Sequence, residues 1–159
     1  MSMICQTTIA RPTAISGIGL HTGQRINMTL RPADAGVGIV FHRKVENQAV
    51  TIEATAANVV DTRMATVLGK GDVRVSTVEH LLSALSAYGV DNLHIDIDGP
   101  EVPIMDGSAI DFLNILKKTE IRILTKKRKY LSYCSETCTY VRTLILSTGF
   151  RCSISRFTS

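Results

Sequence analysis

The stretch at residues 76–97, STVEHLLSALSAYGVDNLHIDI, decides the fold because it joins one helix to one strand. Its first part repeats apolar residues at helical spacing, namely Val78, Leu81, Leu82, Leu85 and Tyr88. Ser76, with Glu79 three residues later, predicts a capping box at the helix start, and Gly89 predicts the helix end. The last five residues alternate apolar and polar side chains, which predicts a strand with one buried face.

The residues on either side of this stretch extend the pattern. Short β-rich segments separated by Gly, Pro, Asp or Asn are predicted as strands at 4–9, 26–30, 37–41, 50–55 and 64–68. Ser108 and Asp111 predict the start of a second helix that runs through Leu116. Met64, Met105 and Phe112 are predicted to lie in the core. The fold class expected is α+β, with a small, mostly antiparallel sheet packed with helices on one face.

Length and composition restrict the class of protein. The chain has 159 residues, which suit one domain with an appendage. Its 45% hydrophobic content and net charge of +4 exclude a disordered chain. It contains no apolar run of about 20 residues, as a transmembrane helix needs, and no secretory signal, so a cytoplasmic location is expected. Four cysteines at this length do not indicate a disulfide scaffold.

The distribution of charge divides the chain. Residues 1–116 hold 8 Lys and Arg against 12 Asp and Glu, whereas residues 117–159 hold 10 against 2. Ala and Asp are absent after Asp111, and three of the four Cys lie in the second part. We therefore expect a folded domain at 1–116 and a basic, poorly ordered tail at 117–159.

A glycine-rich segment at residues 17–23, GIGLHTG, allows two interpretations. Glycines let backbone amides approach a phosphate, which would suit a dinucleotide fingerprint. That fingerprint requires Gly where Thr22 stands and a helix afterwards, whereas residues 25–30 alternate as a strand. A tight turn between two strands is favoured.

Glu79 and His80 stand in the first turn of the predicted helix. A neutral imidazole there can bind a metal, and a neighbouring carboxylate can take a proton from water, as metal-assisted hydrolysis requires. From spacing alone the simpler alternative is favoured, in which Glu79 completes the capping box with Ser76 and His80 is a surface histidine.

Two further sets of metal-ligand residues have simpler explanations. His94 and Asp98 belong to the predicted strand, where they lie with Asp96 on a solvated polar face. Cys134, Cys138 and Cys152 lack the closely spaced pairs of a zinc cluster. The basic run at 126–129 could attract phosphate groups of nucleic acid or an anionic membrane surface, but such runs are more often solvated, so nucleic acid is disfavoured.

Several motifs taken together resemble one family. Residues 17–23, 30–33 (LRPA), 61–62 (DT), 76–81 (STVEHL), 89–92 (GVDN) and 103–109 (PIMDGSA) follow the order of the N-terminal half of UDP-3-O-acyl-N-acetylglucosamine deacetylase, a zinc enzyme of lipid A synthesis. The resemblance covers about residues 7–116. It implies a ribosomal-S5-domain-2-like half of a two-domain fold, with the active site between the halves.

The resemblance also implies chemistry for particular residues. Glu79 takes the position of the general base, and His80 takes the position of a zinc ligand for the Zn²⁺ that activates water against the acetamide of the UDP-sugar. His21, Met64 and Ala65 resemble residues that border the cleft. In the family the other two zinc ligands, in a His-Lys-x-x-Asp setting, lie in the C-terminal half.

That second half has no counterpart in the sequence. One histidine cannot hold catalytic zinc, which needs three protein ligands. The sequence therefore predicts a truncated deacetylase that is inactive alone and that would need a separately encoded C-terminal half as partner. A frameshift near codon 117 would explain the tail. The alternative is a non-catalytic fragment whose basic tail binds nucleic acid or an anionic membrane.

Overall fold

The computed structural model describes residues 4–45 and 48–129. The strands in this part of the chain are β1 (Cys5–Ile9), β2 (Thr13–Ile18), β3 (Arg25–Pro32), β4 (Ile39–Val45), β5 (Gln48–Glu53), β6 (Val59–Asp61), β7 (Val67–Lys70), β8 (Val73–Val75), β9 (Leu93–Ile97) and β10 (Ile121–Lys127). The helices are α1 (Glu79–Tyr88) and α2 (Ile110–Thr119), and a short 3-10 turn lies at Ala56–Asn58.

The central sheet has five strands in the order β2-β3-β9-β4-β5. Strand β9 lies in the middle, antiparallel to β3 and parallel to β4. Leu93, Ile95 and Ile97 are buried, whereas His94 and Asp96 are half-buried. The alternation predicted for this strand is therefore confirmed, since one face of the sheet is apolar and the other is polar.

Both helices contribute to a single core with the apolar face of this sheet. Leu81 and Leu85 of α1, and Phe112 and Leu116 of α2, lie in one buried cluster with Ile95. The helices also pack against each other. The fold is thus α+β with mostly antiparallel strands, as expected, and Phe112 is a core residue as predicted. In the described residues no helix is long and apolar enough to cross a membrane.

Helix α1 ends where the sequence predicts and begins later than predicted. Gly89 has φ 90°, and its N–H donates to Leu85 O at 3.0 Å. At the other end, no capping box forms. The Ser76 N–H donates to Pro100 O in a β-bridge, and Glu79 instead accepts the N–H of Thr66. Backbone pairing keeps Ser76 extended, so the helix starts at Glu79.

Helix α2 begins one residue later than Ser108 and Asp111 predict: its N-cap is Ala109, which makes no side-chain capping hydrogen bond. The Ile110 N–H donates to Ser108 Oγ at 3.1 Å. Met105, just before this helix, is half-buried against the core.

The domain boundary predicted after Leu116 requires correction. Helix α2 continues to Thr119, and β10 then pairs antiparallel with β1, with Ile9 opposite Ile121 and Cys5 opposite Lys127. The backbone of this basic segment is held by sheet hydrogen bonds, which do not depend on its charge. The folded domain therefore extends through β10. The predictions for Cys134, Cys138, Cys152 and the rest of 130–159 lie outside the described residues.

The last residues of the described part fasten β10 to the end of α1. Arg128 Nε lies 2.7 Å from Asp91 Oδ2, and its Nη2 donates to Gly89 O at 2.7 Å. The Asp91 carboxylate also accepts the Thr7 N–H at 2.8 Å. Less than a tenth of either charged side chain is exposed. Arg128, one of the basic residues of this segment, thus forms a buried ion pair within the fold.

Candidate active site

The first turn of α1 presents Glu79 and His80 half-buried and side by side in sequence. Glu79 Oε2 accepts the backbone N–H of Thr66 at 3.1 Å, which fixes the carboxylate in place. Within the described residues, Oε1 of Glu79 makes no hydrogen bond, and neither ring nitrogen of His80 makes one. One carboxylate oxygen and the imidazole are therefore free to contact a bound group.

The loop before β7 contacts the start of α1. The Val78 N–H donates to Thr66 O at 3.4 Å, and together with the Thr66 N–H to Glu79 this makes two hydrogen bonds between the loop and the helix start. Ala65 is buried beside Thr66, and Met64 is 84% exposed. The prediction that Met64 is a core residue is wrong, because β7 begins only at Val67 and Met64 lies in the loop.

The loop between β2 and β3 contains His21. This loop is the tight turn that the glycine pattern favoured: the Gly19 N–H donates to Gln24 O, and the Gly23 N–H donates to Gly19 O. The His21 side chain is exposed. In the described residues no hydrogen bond or ion pair joins it to Glu79 or His80.

The connection between the His21 loop and α1 runs through Glu101. Its carboxylate accepts the N–H of His21 at 3.1 Å and the N–H of Thr22 at 3.0 Å. It also accepts the hydroxyl of Thr77 at 2.8 Å. Glu101 itself is fully buried. Burial alone would raise the pKa of Glu101, but these hydrogen bonds outweigh burial and hold the pKa below its ordinary value.

The loop at residues 103–109 leads into α2. The Ile104 N–H donates to Ile18 O at 3.0 Å, which joins this loop to the end of β2. Asp106 accepts hydrogen bonds from the Ser108 N–H and hydroxyl, and these bonds lower the pKa of Asp106.

Thr77 has a strained backbone directly before α1. Among the described residues, three that are not glycine have positive φ: Thr77 at 58°, Met105 at 55° in the loop before α2, and Glu120 at 59° directly after α2. Left-handed backbone costs a β-branched residue such as Thr77 of order 1–3 kcal/mol, and such strain is found mostly at functional sites.

The sequence did not single out Glu101, Thr77 or Asp106. The available signal for Glu101 was a charged residue next to Val102 within the short segment 99–103, GPEVP. The role of Glu101 depends on loop contacts about 80 residues apart in the chain, which no local pattern contains.

His94 and Asp98, which have the spacing of a metal pair, lie on the polar face of the sheet. His94 Nδ1 lies 2.9 Å from His42 Nε2, and Asp98 accepts the Asn27 N–H. Asp98 is exposed, as the solvated interpretation predicts, whereas His94 is half-buried. In residues 4–45 and 48–129 no group of three or more His, Cys, Asp or Glu side chains could hold a metal ion.

Comparison with known protein families shows to which family the chain belongs. The LpxC family model, described as UDP-3-O-acyl N-acetylglycosamine deacetylase, matches residues 6–145. This match covers most of the chain. The chain belongs to this family.

Individual deacetylases agree with the match. The chain is 59% identical over 130 residues to the UDP-3-O-acyl-N-acetylglucosamine deacetylase of Syntrophotalea carbinolica, which covers 82% of the chain and 42% of that relative. It is 57% identical over 129 residues to the deacetylase of Geobacter sp. strain M21, and the match covers 81% of the chain and 42% of that relative. It is 50% identical over 117 residues to the deacetylase of Myxococcus xanthus, and this match covers 74% of the chain and 37% of that relative.

The comparisons also show how much of the family's length the chain covers and where the match ends. The chain spans about two fifths of the length of these deacetylases. The family match also continues to residue 145, well past Leu116, where the sequence predicted that the resemblance ends. This agrees with β10, which continues the fold beyond the same point.

Proposed function

We propose that this chain supplies the N-terminal part of a zinc-dependent UDP-3-O-acyl-N-acetylglucosamine deacetylase of lipid A biosynthesis, acting in the cytoplasm. In this proposal Glu79 is the general base and His80 is one zinc ligand. The observation that carries it is the pair at the start of α1, with Glu79 held by Thr66 and the His80 ring free of other partners.

The described residues do not fit a complete zinc site. His80 is one imidazole, and no group of three potential ligands surrounds it in the described part of the chain. Catalytic zinc sites have three protein ligands and one open position. We therefore assign no step through the metal to this chain, and the remaining ligands would come from a C-terminal part.

Glu79 has a role that its own geometry supports. Its Oε2 is engaged by Thr66, while Oε1 is directed to no described partner. A carboxylate fixed through one oxygen can accept a proton from a water molecule through the other, as a general base must. The exposed Met64 and His21 would then border the space in which the UDP-sugar lies.

The proposal includes inactivity of the isolated chain, because one ligand cannot hold zinc for catalysis. A C-terminal part would complete the site, and it would act as a partner if it is encoded separately. The family match continues to residue 145, so a frameshift that separates the chain from the family would lie after that residue and not near codon 117.

The alternative of a basic module that binds nucleic acid or membrane gains no support from residues 117–129. Thr119 is buried, residues 121–127 form β10, and Arg128 is paired with Asp91. These contacts give the segment a structural role.

A joined enzyme tests the proposed function. Residues 1–129 of this chain would be fused to the C-terminal part of the Syntrophotalea carbinolica deacetylase, and acetate release from UDP-3-O-acyl-N-acetylglucosamine would be measured. We expect acetate release from the joined enzyme and none from the isolated chain. Glu79→Gln should lower kcat at least about a hundredfold, the lower range for general-base catalysis.

Glu53→Gln is the matched control, because Glu53 is an exposed carboxylate at the end of β5, and its kcat should be unchanged. A folded joined enzyme that releases no acetate, or one in which Glu79→Gln behaves like Glu53→Gln, would contradict the proposal.

A further inference from the structure

Glu101 is a fully buried carboxylate that no part of the proposed chemistry uses. A buried carboxylate is costly unless its oxygens are hydrogen-bonded, so its retention needs a reason. All the hydrogen bonds it makes are accepted ones, from the N–H of His21, the N–H of Thr22 and the hydroxyl of Thr77. An ionised carboxylate, which only accepts, satisfies all of these donors at once.

The donors come from two separate segments. His21 and Thr22 lie in the loop between β2 and β3, and Thr77 lies directly before α1. The backbone beside Glu101 is also hydrogen-bonded to this second segment, since the Val102 N–H donates to Ser76 O at 3.0 Å. One side chain therefore fixes the position of the His21 loop relative to the helix start.

The fit around the carboxylate leaves little room for variation. A Cβ on Gly19 would collide with both the Thr22 hydroxyl and the Glu101 carboxylate, so the loop approaches closely only because residue 19 is glycine. Thr77 adopts φ 58° while it donates to Glu101. The hydrogen bond to an ionised acceptor offsets part of the cost of that backbone conformation.

We propose that Glu101 is a positioning residue that holds the His21 loop and Thr77 in register with Glu79 and His80. The catalytic part of this inference rests on the proposed function. Glu101 does not touch the reacting groups, since it is buried beneath the loop, and it acts through the His21 loop and the segment that leads into α1.

Hydrogen exchange in the full chain tests the geometry without any need for activity. In Glu101→Gln an amide NH₂ can no longer accept from all three donors. We expect the His21 and Thr22 amides to exchange at least about tenfold faster, because hydrogen bonds to a charged acceptor are the stronger kind. The Gly19 and Gly23 amides, which are bonded within the loop, should change less.

Asp98→Asn is the matched control. Asp98 is an exposed carboxylate that also accepts a backbone N–H, that of Asn27 at 2.8 Å, three residues before Glu101. The Asp98→Asn variant should leave hydrogen exchange at the His21 and Thr22 amides unchanged. Thr77→Val is a milder second variant that removes one donor and keeps the side-chain shape, and it should raise exchange at the same two amides by a smaller factor.

Activity in the joined enzyme separates positioning from stability. We expect Glu101→Gln to lower kcat at least about tenfold while its zinc content matches that of the unmodified joined enzyme. Unchanged exchange at His21 and Thr22 in both variants would overturn the inference, as would uniform acceleration of all amides, including those of β9. An inactive unmodified joined enzyme would contradict the proposed function and leave the exchange result to decide the geometry.

Discussion

The two ends of helix α1 each hold a buried carboxylate, but they hold it differently. At the C-terminal end Asp91 is paired with the Arg128 guanidinium and with the Thr7 N–H. At the N-terminal end Glu101 accepts only from neutral donors, and the described residues place no cation against it. At the C-terminal end an ion pair fixes strand β10, whereas at the N-terminal end Glu101 binds backbone amides of the His21 loop.

This difference indicates a division of roles along one helix. The C-terminal end joins β1, β10 and the Gly89 turn, and contains no residue assigned to the site. The N-terminal end holds Glu79, His80 and the strained Thr77, and it is joined to the loop before β7 and, through Glu101, to the His21 loop. We therefore expect changes at the first end to alter stability and changes at the second to alter the site as well.

The largest expected effect comes from removing β10. A chain that ends after Leu116 loses the strand that pairs with β1 and leaves Asp91 buried without its cation. We expect loss of cooperative unfolding in urea, followed by circular dichroism. A chain that ends after residue 129 should keep a cooperative transition. Equal behaviour of the two chains would show that β10 is dispensable.

Next in size is Arg128→Ala. Removing one partner of a buried ion pair leaves the other charge uncompensated and costs about 3–5 kcal/mol. We expect a loss of that order in the free energy of unfolding from urea denaturation. Lys127→Ala, at an exposed neighbouring position, should cost less than about 0.5 kcal/mol. Comparable losses in the two variants would contradict the pairing of Arg128 with Asp91.

Glu101→Gln should cost about 1–3 kcal/mol at neutral pH, the range for a buried polar group left unsatisfied. The pKa of Glu101 is lowered in the folded chain, so its ionised form contributes stability above the ordinary value of 4.5. This contribution is lost as the pH falls through and below that value. The stability difference between the unmodified chain and Glu101→Gln should therefore shrink in urea titrations from pH 6 to pH 3. A difference that is constant over this range would contradict an ionised Glu101.

The smallest effect is expected at Met64. Its side chain is 84% exposed, so Met64→Gln should change the free energy of unfolding by less than about 0.5 kcal/mol. In the joined enzyme the same variant should raise KM, if Met64 borders the substrate. Phe112→Ala, at a fully buried position, provides the contrast and should cost about 3–5 kcal/mol.

The sequence predicted those parts of the fold that local periodicity controls. The alternation of β9 and the glycine at the end of α1 are local features, and both are confirmed. The start of α1 was predicted wrongly because Ser76 pairs with a segment 24 residues away. The extent of the domain was predicted wrongly because composition reports charge, whereas β10 is held by backbone pairing with the first strand.

The site shows the same limit. Glu79 and His80 emerged through resemblance to a family, since spacing alone favoured a capping interpretation. Glu101 could not be found in this way because it and its partners, His21 and Thr77, lie in three different parts of the chain. Long-range contacts of this kind belong to the folded structure and leave no pattern in a single sequence.

The division between the two ends of α1 is tested most directly by measuring kcat and unfolding free energy for Arg128→Ala and Glu101→Gln in the joined enzyme. Arg128→Ala should lower the unfolding free energy and leave kcat per folded molecule unchanged. Glu101→Gln should lower kcat at least about tenfold, with the smaller stability loss given above. If kcat falls in both variants in proportion to their loss of stability, the two ends do not differ in role and the account is contradicted.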